Sequence, residues 1–230
     1  MALTFAQFTV EAVNAGVTSI ARPFASTTAG SMLFAHVLTT AFNNPCTVTD
    51  SLSNVWTPLG HVTVHPGSNQ TQLFWAANPS GGGISVTAHS PVSTTMAIYL
   101  FEYTGQAASS PIDAVVGSNV FTEIGVGNVV FGPVTASYSN ETLILAGRND
   151  PGTVTITSQD GATVRSAPTN LMLLDRNIST AGLYTETFST NVSGCSGELT
   201  LVAVKSTTSA LPPSSGGSLL GGSSDFKFKL

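Results

Sequence analysis

Two histidines four residues apart, His61 and His65, are the most suggestive pair of chemistry-bearing side chains in this chain. On a strand they share a face, but at ~3.3 Å per residue they stand roughly 13 Å apart. A single zinc ion holds its nitrogens at ~2.0–2.1 Å, so one strand does not offer both. His36 and His89 are isolated and read as surface or partly buried, hydrogen-bonded side chains. There is no Asp-x-Asp-x-Asp-Gly loop for calcium, and Gly81-Gly-Gly opens no helix that would turn it into a phosphate cradle. No metal site and no cofactor are expected.

Covalent and acid–base catalysis find equally little. The nearest text to a Gly-x-Ser-x-Gly nucleophile turn is Gly194-Cys-Ser-Gly, which lacks both the spacing and a following helix. Glycan cleavage needs two carboxyl groups about 5–10 Å apart across a cleft. The nearest candidates, Glu102, Asp113 and Glu123, lie on separate segments and would have to converge in space. No catalytic residue is assigned, and a glycan-cleaving enzyme stays a remote alternative.

Binding chemistry has better material. Sugar rings stack on exposed indole or phenol faces beside amide and acid groups, and Trp75, Trp56 and Tyr103 are the candidates. Trp75 stands out because its run, Gln70-Thr-Gln-Leu-Phe-Trp, mixes polar and apolar positions and suggests one wet face. The competing reading of each aromatic is packing inside a sandwich.

The C-terminus offers a second binding element. A linker rich in Pro, Ser and Gly ends in Asp225-Phe226-Lys227-Phe228-Lys229-Leu230, where Phe226, Phe228 and Leu230 would share one face of a strand. As a strand this hexapeptide would span roughly 20 Å, and the linker over 212–224 reaches at most ~43–47 Å. That suffices to cross to a neighbouring subunit and add a strand to its sheet edge. The alternatives are that the segment folds back on its own body, or that it is partly frayed, with Lys227 and Lys229 discouraging aggregation.

The elements that must position these residues are strands. From Thr4 to Lys205 the chain breaks into around fifteen short β-type runs with no convincing helix, punctuated by Asn43-Asn-Pro, Asp50-Ser-Leu-Ser-Asn, Gly81-Gly-Gly and Asp150-Pro-Gly. Separate strands are expected at 83–88 and 95–103, and the last at 197–205. Met96-Ala-Ile-Tyr-Leu-Phe is apolar on both faces and is placed centrally, covered on both sides. No fixed-period repeat is legible. The expected organisation is a β-sandwich over 1–205 and a linker with an assembly strand over 206–230.

Composition narrows the function classes. Only 8% of the 230 residues are charged, against about 25% in ordinary soluble domains. Ser, Thr, Asn and Gly must therefore keep the surface wet, as in chains packed against neighbours. Net charge is −5 and the seven basic residues form no stripe, which excludes a nucleic-acid partner. No run approaches the ~20 apolar residues of a membrane span. The N-terminal Met-Ala-Leu-Thr-Phe-Ala-Gln-Phe has no basic n-region and no signal-like apolar run, so no signal peptide is read and cytoplasmic synthesis is expected. In that setting Cys46 and Cys195 read as free thiols, with pairing across the sandwich the alternative.

The run Cys46-Thr-Val-Thr-Asp-Ser-Leu-Ser-Asn-Val-Trp-Thr, with Glu102-Tyr-Thr-Gly and Ser110-Pro-Ile-Asp-Ala further on, resembles a loose group of bacterial and phage β-sandwich proteins found in virions and on surfaces. The resemblance implies an all-β, antiparallel jelly-roll or concanavalin-like sandwich, and little about activity. Residue by residue, Asp50 and Asn54 are expected to cap a tight turn through bonds to the backbone, with Trp56 starting the return strand.

Together these readings lead to a non-enzymatic bacteriophage structural protein, a capsid decoration or fibre-type component assembled in the host cytoplasm. Its partners would be other virion proteins and copies of itself in an oligomer such as a trimer, reached through Phe226, Phe228 and Leu230. A carbohydrate-binding or host-adhesion module acting on a surface glycan is the alternative.

Overall fold

The computed structural model describes residues 2–9, 12–41, 43–65, 69–78, 80–124, 128–150, 155–165, 171–191 and 195–212. Phe226, Phe228 and Leu230 lie outside these residues. All regular structure among the described residues is β. The strands are β1 (Thr4–Phe8), β2 (Ala12–Thr27), β3 (Ser31–Thr39), β4 (Thr47–Asp50), β5 (Thr57–His65), β6 (Asn69–Asn78) and β7 (Gly82–Thr104). There follow β8 (Ile112–Ile124), β9 (Asn128–Ala136), β10 (Ser139–Asp150), β11 (Ile156–Ser158), β12 (Thr163–Val164), β13 (Leu171–Ile178), β14 (Gly182–Thr190) and β15 (Cys195–Ala210).

The two halves of the chain repeat one pairing scheme. In the first half, a sheet ordered β1-β7-β3-β6-β5 uses the second part of β7, while β2 and β4 flank its first part. In the second half, β8-β15-β10-β13-β12 form the large sheet and β11-β14-β9 the small one. The scheme differs in that β7 passes through both sheets of its half, with the start of β2 following it from Ala12 opposite Ile98 to Val17 opposite Thr94, whereas β14 and β15 divide the same task. Counted from the start of each half, strands one, eight, three and six lie opposite two, seven and four. This is jelly-roll connectivity, with the fifth strand added to the outside of the first sheet. The antiparallel sandwich is therefore the jelly-roll alternative of the two expected, and it occurs twice within the expected 1–205 body.

Each roll has its own core. In the first, Ile20, Phe24, Val48, Ile84 and Val86 pack against Leu33, Ala35, Phe74, Ile98 and Leu100. In the second, Val129, Phe131 and Phe188 pack against Leu143, Leu145, Leu174, Leu199 and Leu201. Alternation then leaves the other face of each large sheet apolar as well, and these two faces meet in a third core. Phe34, Leu73, Tyr99, Phe101 and Tyr103 cover Ile144, Ala146, Leu173, Val202 and Val204. Phe34 and Phe101 stack with centroids 5.0 Å apart, and Tyr103 meets Phe34 edge-on at 6.0 Å. Each such ring is worth about 1.5–3 kcal/mol of burial, which makes this middle layer a strong joint.

The joint sets the two strand orders against each other in reverse: β7 meets β13 where Tyr103 bonds Asp175, β1 meets the end of β12 where Arg165 lies over Phe5, and β5 meets β8. Phe34 is flanked by Trp75 and Phe101, and Ile144 by Asp175 and Val202, at the same register of the same strands. At one margin the backbones come close: a Cβ added to Gly60 of β5 would lie 3.0 Å from the Cα of Gly117 of β8.

Three departures from sequence expectation have local causes. Residues 83–88 and 95–103 form one strand, because residues 90–93 lie at the bend where no ladder partner is assigned. Pro91 can sit there without costing a sheet hydrogen bond. The run 112–120, not among the strands expected from sequence, is the start of edge strand β8. The last strand continues past Lys205 to Ala210, where Ser206 is buried and donates its Oγ–H to Asn140 O at 2.7 Å. Thr207 N donates to Gly105 O and Ala210 pairs with Ser139. Ser and Thr hold this stretch by hydrogen bonds, so it carries no apolar alternation to read. Met96 to Phe101 is buried on both faces, as its composition predicts.

Candidate ligand-binding cleft

On β6 the alternation sends Leu73, Trp75 and Ala77 to the face that carries the middle core. Leu73 is within that core, Trp75 packs on its rim and Ala77 is exposed, so the face runs from core to solvent over five residues. Trp75 is half-buried between Phe34 of β3 and Thr57 of β5. Two depressions open on either side of it, sharing Trp75 and Ala77. One, of about 480 Å³, is walled by Ser31, Asn78 and the 106–111 connector between the rolls. The other, of about 440 Å³, lies against Asn54, Val55 and Thr57. No charged side chain lines either one.

Both walls are braced. Asn78 is buried at the end of β6, and its amide donates to Thr27 Oγ1 at 2.8 Å, Thr28 O at 3.1 Å and Ser31 Oγ at 3.2 Å. Its Oδ1 accepts from Gly81 N at 3.3 Å, closing the turn into β7. Gly81 itself adopts φ +65°, and a Cβ there would stand 2.5 Å from Ala29 N. On the other side Asp50 holds the loop to β5. Its Oδ1 accepts from Leu52 N and Asn54 N, and its Oδ2 from Trp56 Nε1 at 2.7 Å. Asp50 thus caps the turn as expected, while Asn54 takes part through its backbone N–H.

Two amides on these walls retain an unpaired atom. Gln106 donates Nε2–H to Gly30 O, which leaves its Oε1 buried without a hydrogen-bond partner. Asn54 Nδ2 is likewise buried and unpartnered. Buried polar atoms in this state cost about 1–3 kcal/mol each.

The other aromatic candidates take different places. Trp56 is half-buried, packs against the core of the first roll and spends its N–H on Asp50. Tyr103 is buried in the joint between the rolls, where it donates to Asp175 Oδ2 at 2.8 Å. Asp175 occupies in the second roll the position that Trp75 holds in the first, and Arg165 binds it at 2.8 and 3.0 Å. Phe5 lies edge-on to Tyr103, and the Arg165 guanidinium sits over the Phe5 ring at 5.0 Å. Tyr103 is therefore a structural pin, unavailable to a ligand at the surface.

Equivalent positions also line a smaller cavity in the second roll, about 170 Å³, where Glu141, Asn177 and Ile178 stand at the registers of Ser31, Ala77 and Asn78. Glu141 is buried there beside Asp113. Burial pushes its carboxyl up to about 8, with the Asp113 charge and a hydrogen bond to it acting in the same direction and Lys205 opposing. Sequence reading missed this pair, because β8 and β10 meet only through β15 between them. Of the carboxylates considered from sequence, Glu102 is buried and accepts from Gln7 Nε2 and Thr28 N, both at 2.6 Å. Asp113 accepts from Ser137 N, and the Glu123 side chain lies outside the described residues.

His36 is buried, and burial followed by the nearby Arg148 charge lowers it to about 4, so it is neutral at pH 7. His89 Nε2 is 2.9 Å from Thr49 Oγ1. The side chains of His61 and His65 lie outside the described residues. Among the described residues no group of three or more His, Cys, Asp or Glu side chains could hold a metal ion. Cys46 is a free, buried thiol, raised to about 11 by burial.

No family model matches this chain, and no curated protein or solved structure matches it.

Proposed function

We propose that this chain is a non-enzymatic structural component of a bacteriophage virion, a decoration or fibre-type protein that contacts its neighbours through the segment after Pro212. The observation that supports this reading is the seat of that segment in the body. It leaves from β15, an interior strand paired with β8 as far as Val204 and with β10 as far as Lys205, whose last residue, Ala210, meets β10 again at Ser139 after a register shift. An arm rooted in an interior strand passes load to the ladders on both sides rather than to a strand that peels from an edge. The low-charge, Ser- and Thr-rich surface and three stacked apolar cores fit a rigid building block.

Absolute mass in solution tests it. Full-length protein is expected to be an oligomer, and chain ended at Pro212 or carrying Phe226→Ser with Phe228→Ser is expected to be monomeric with an unchanged melting temperature. Equal masses for all three refute the arm.

A second reading, a carbohydrate-binding or host-adhesion module, is favoured by one observation: Trp75 divides an uncharged surface cleft with braced walls. Retention on immobilised glycans that disappears in Trp75→Ala, with folding intact, supports it. Equal retention of the variant counts against the cleft.

A further inference from the structure

We infer that the Trp75 cleft takes a neutral oligosaccharide of at least two residues, laid across the indole with one ring in each depression; this rests on the carbohydrate-binding reading. The two depressions, about 480 and 440 Å³, each fall within the size of small-molecule sites. They share Trp75 and Ala77, so a ligand that fills one reaches the other without leaving the surface. A half-buried indole between them is a stacking platform for the apolar face of a sugar ring.

The polar groups specify the ligand further. Uncharged polar residues line both sides of Trp75, with Ser31, Gln106 and Ser110 on one side and Ser53, Asn54 and Thr57 on the other. A sugar hydroxyl is both donor and acceptor and can pair with such groups, whereas an alkyl chain cannot. The lining holds neither a cation to attract a uronate or sialate nor an anion to attract an amine. The walls are set before binding by Asn78 on one side and Asp50 on the other, which limits the ordering cost.

The second roll shows the same position closed. Where Trp75 stands in the first, Asp175 is bound by Arg165 and Tyr103, so no platform remains there. One oligosaccharide per chain follows.

Titration of the full chain with neutral gluco- and manno-oligosaccharides of one to four residues, and with oligogalacturonate and oligosialate, decides the matter. Calorimetry gives stoichiometry and indole fluorescence locates the site. Expected is one site per chain in at least one neutral series, with affinity rising at least tenfold from one residue to two or three. Trp75→Ala should abolish binding, while Asn54→Ala and Gln106→Ala should each weaken it about five- to tenfold, the loss of one neutral hydrogen bond. Circular dichroism and melting confirm that each variant folds. Monosaccharides binding as tightly as longer chains overturn the two-ring cleft yet leave the carbohydrate reading standing. Preference for the acidic series overturns neutrality alone. No binding in any series overturns both.

Discussion

Replacing Glu141 with Gln removes a carboxyl that the fold keeps protonated, and the consequence can be followed through pH. The group is buried in the second roll, faces Asp113 from β8 and Lys205 from β15, and is raised from an ordinary 4.5 to about 8. Below pH 4.5 it carries its proton folded or unfolded, and it costs nothing. Between pH 4.5 and about 8 the unfolded chain ionises while the folded chain holds the proton, so stability falls as pH rises. At about 1.4 kcal/mol per unit, the full displacement is worth up to about 3 kcal/mol by pH 7. Gln keeps an N–H donor towards Asp113 and carries no ionisable proton. Glu141→Gln should thus match the parent near pH 4.5 and exceed it by about 1–3 kcal/mol at pH 7. Urea unfolding of both proteins at pH 4.5, 6, 7 and 8 measures the gap. Glu186, raised to about 7 chiefly by burial, tilts both curves the same way. His36, lowered to about 4, removes stability in both as pH falls from 6.5 to 4. The difference between the curves therefore isolates Glu141. A gap that stays constant with pH, or that shrinks as pH rises, refutes the reasoning.

Other consequences are as direct. Tyr103→Phe removes the hydroxyl that joins the rolls at Asp175 and should cost about 1–2 kcal/mol in urea unfolding; no change would show the pin to be idle. Gly147→Ala would drive a Cβ to 2.0 Å from Glu198 O and 2.7 Å from Leu199 Cδ2. A loss of about 1–3 kcal/mol or more follows from such overpacking, and an unaltered melting temperature would contradict the packing of β10 on β15. Asp50→Ala should release Trp56 and the loop over 51–56, seen as faster amide exchange there and weaker oligosaccharide binding in the same variant.

The strand character of the chain and its doubly covered centre could be read locally. A run apolar on both faces is written in consecutive residues, so Met96–Phe101 is found to be buried. Asp50 was legible as a turn cap for the same reason, since its partners lie within six residues. The duplication was not. What the two rolls share is a list of which strand pairs with which, and pairing constrains size and polarity rather than identity. Phe34 answers to Ile144, Ser31 to Glu141 and Trp75 to Asp175, so the repeat leaves no common text.

Tertiary structure also decided among side chains that look alike in sequence. Trp56, Trp75 and Tyr103 are all aromatic residues in runs that mix polar and apolar positions. Only the packing of one large sheet on the other buries Tyr103, and only the Asp50 loop occupies the Trp56 indole. Trp75 alone is left at the rim, because the joint ends between Leu73 and Ala77. The Asp113–Glu141 contact likewise needs three strands brought side by side. The residues that form strands are thus specified over a few neighbours, whereas the cleft and the buried acid arise where distant strands meet, and their chemistry depends on which face each meeting covers.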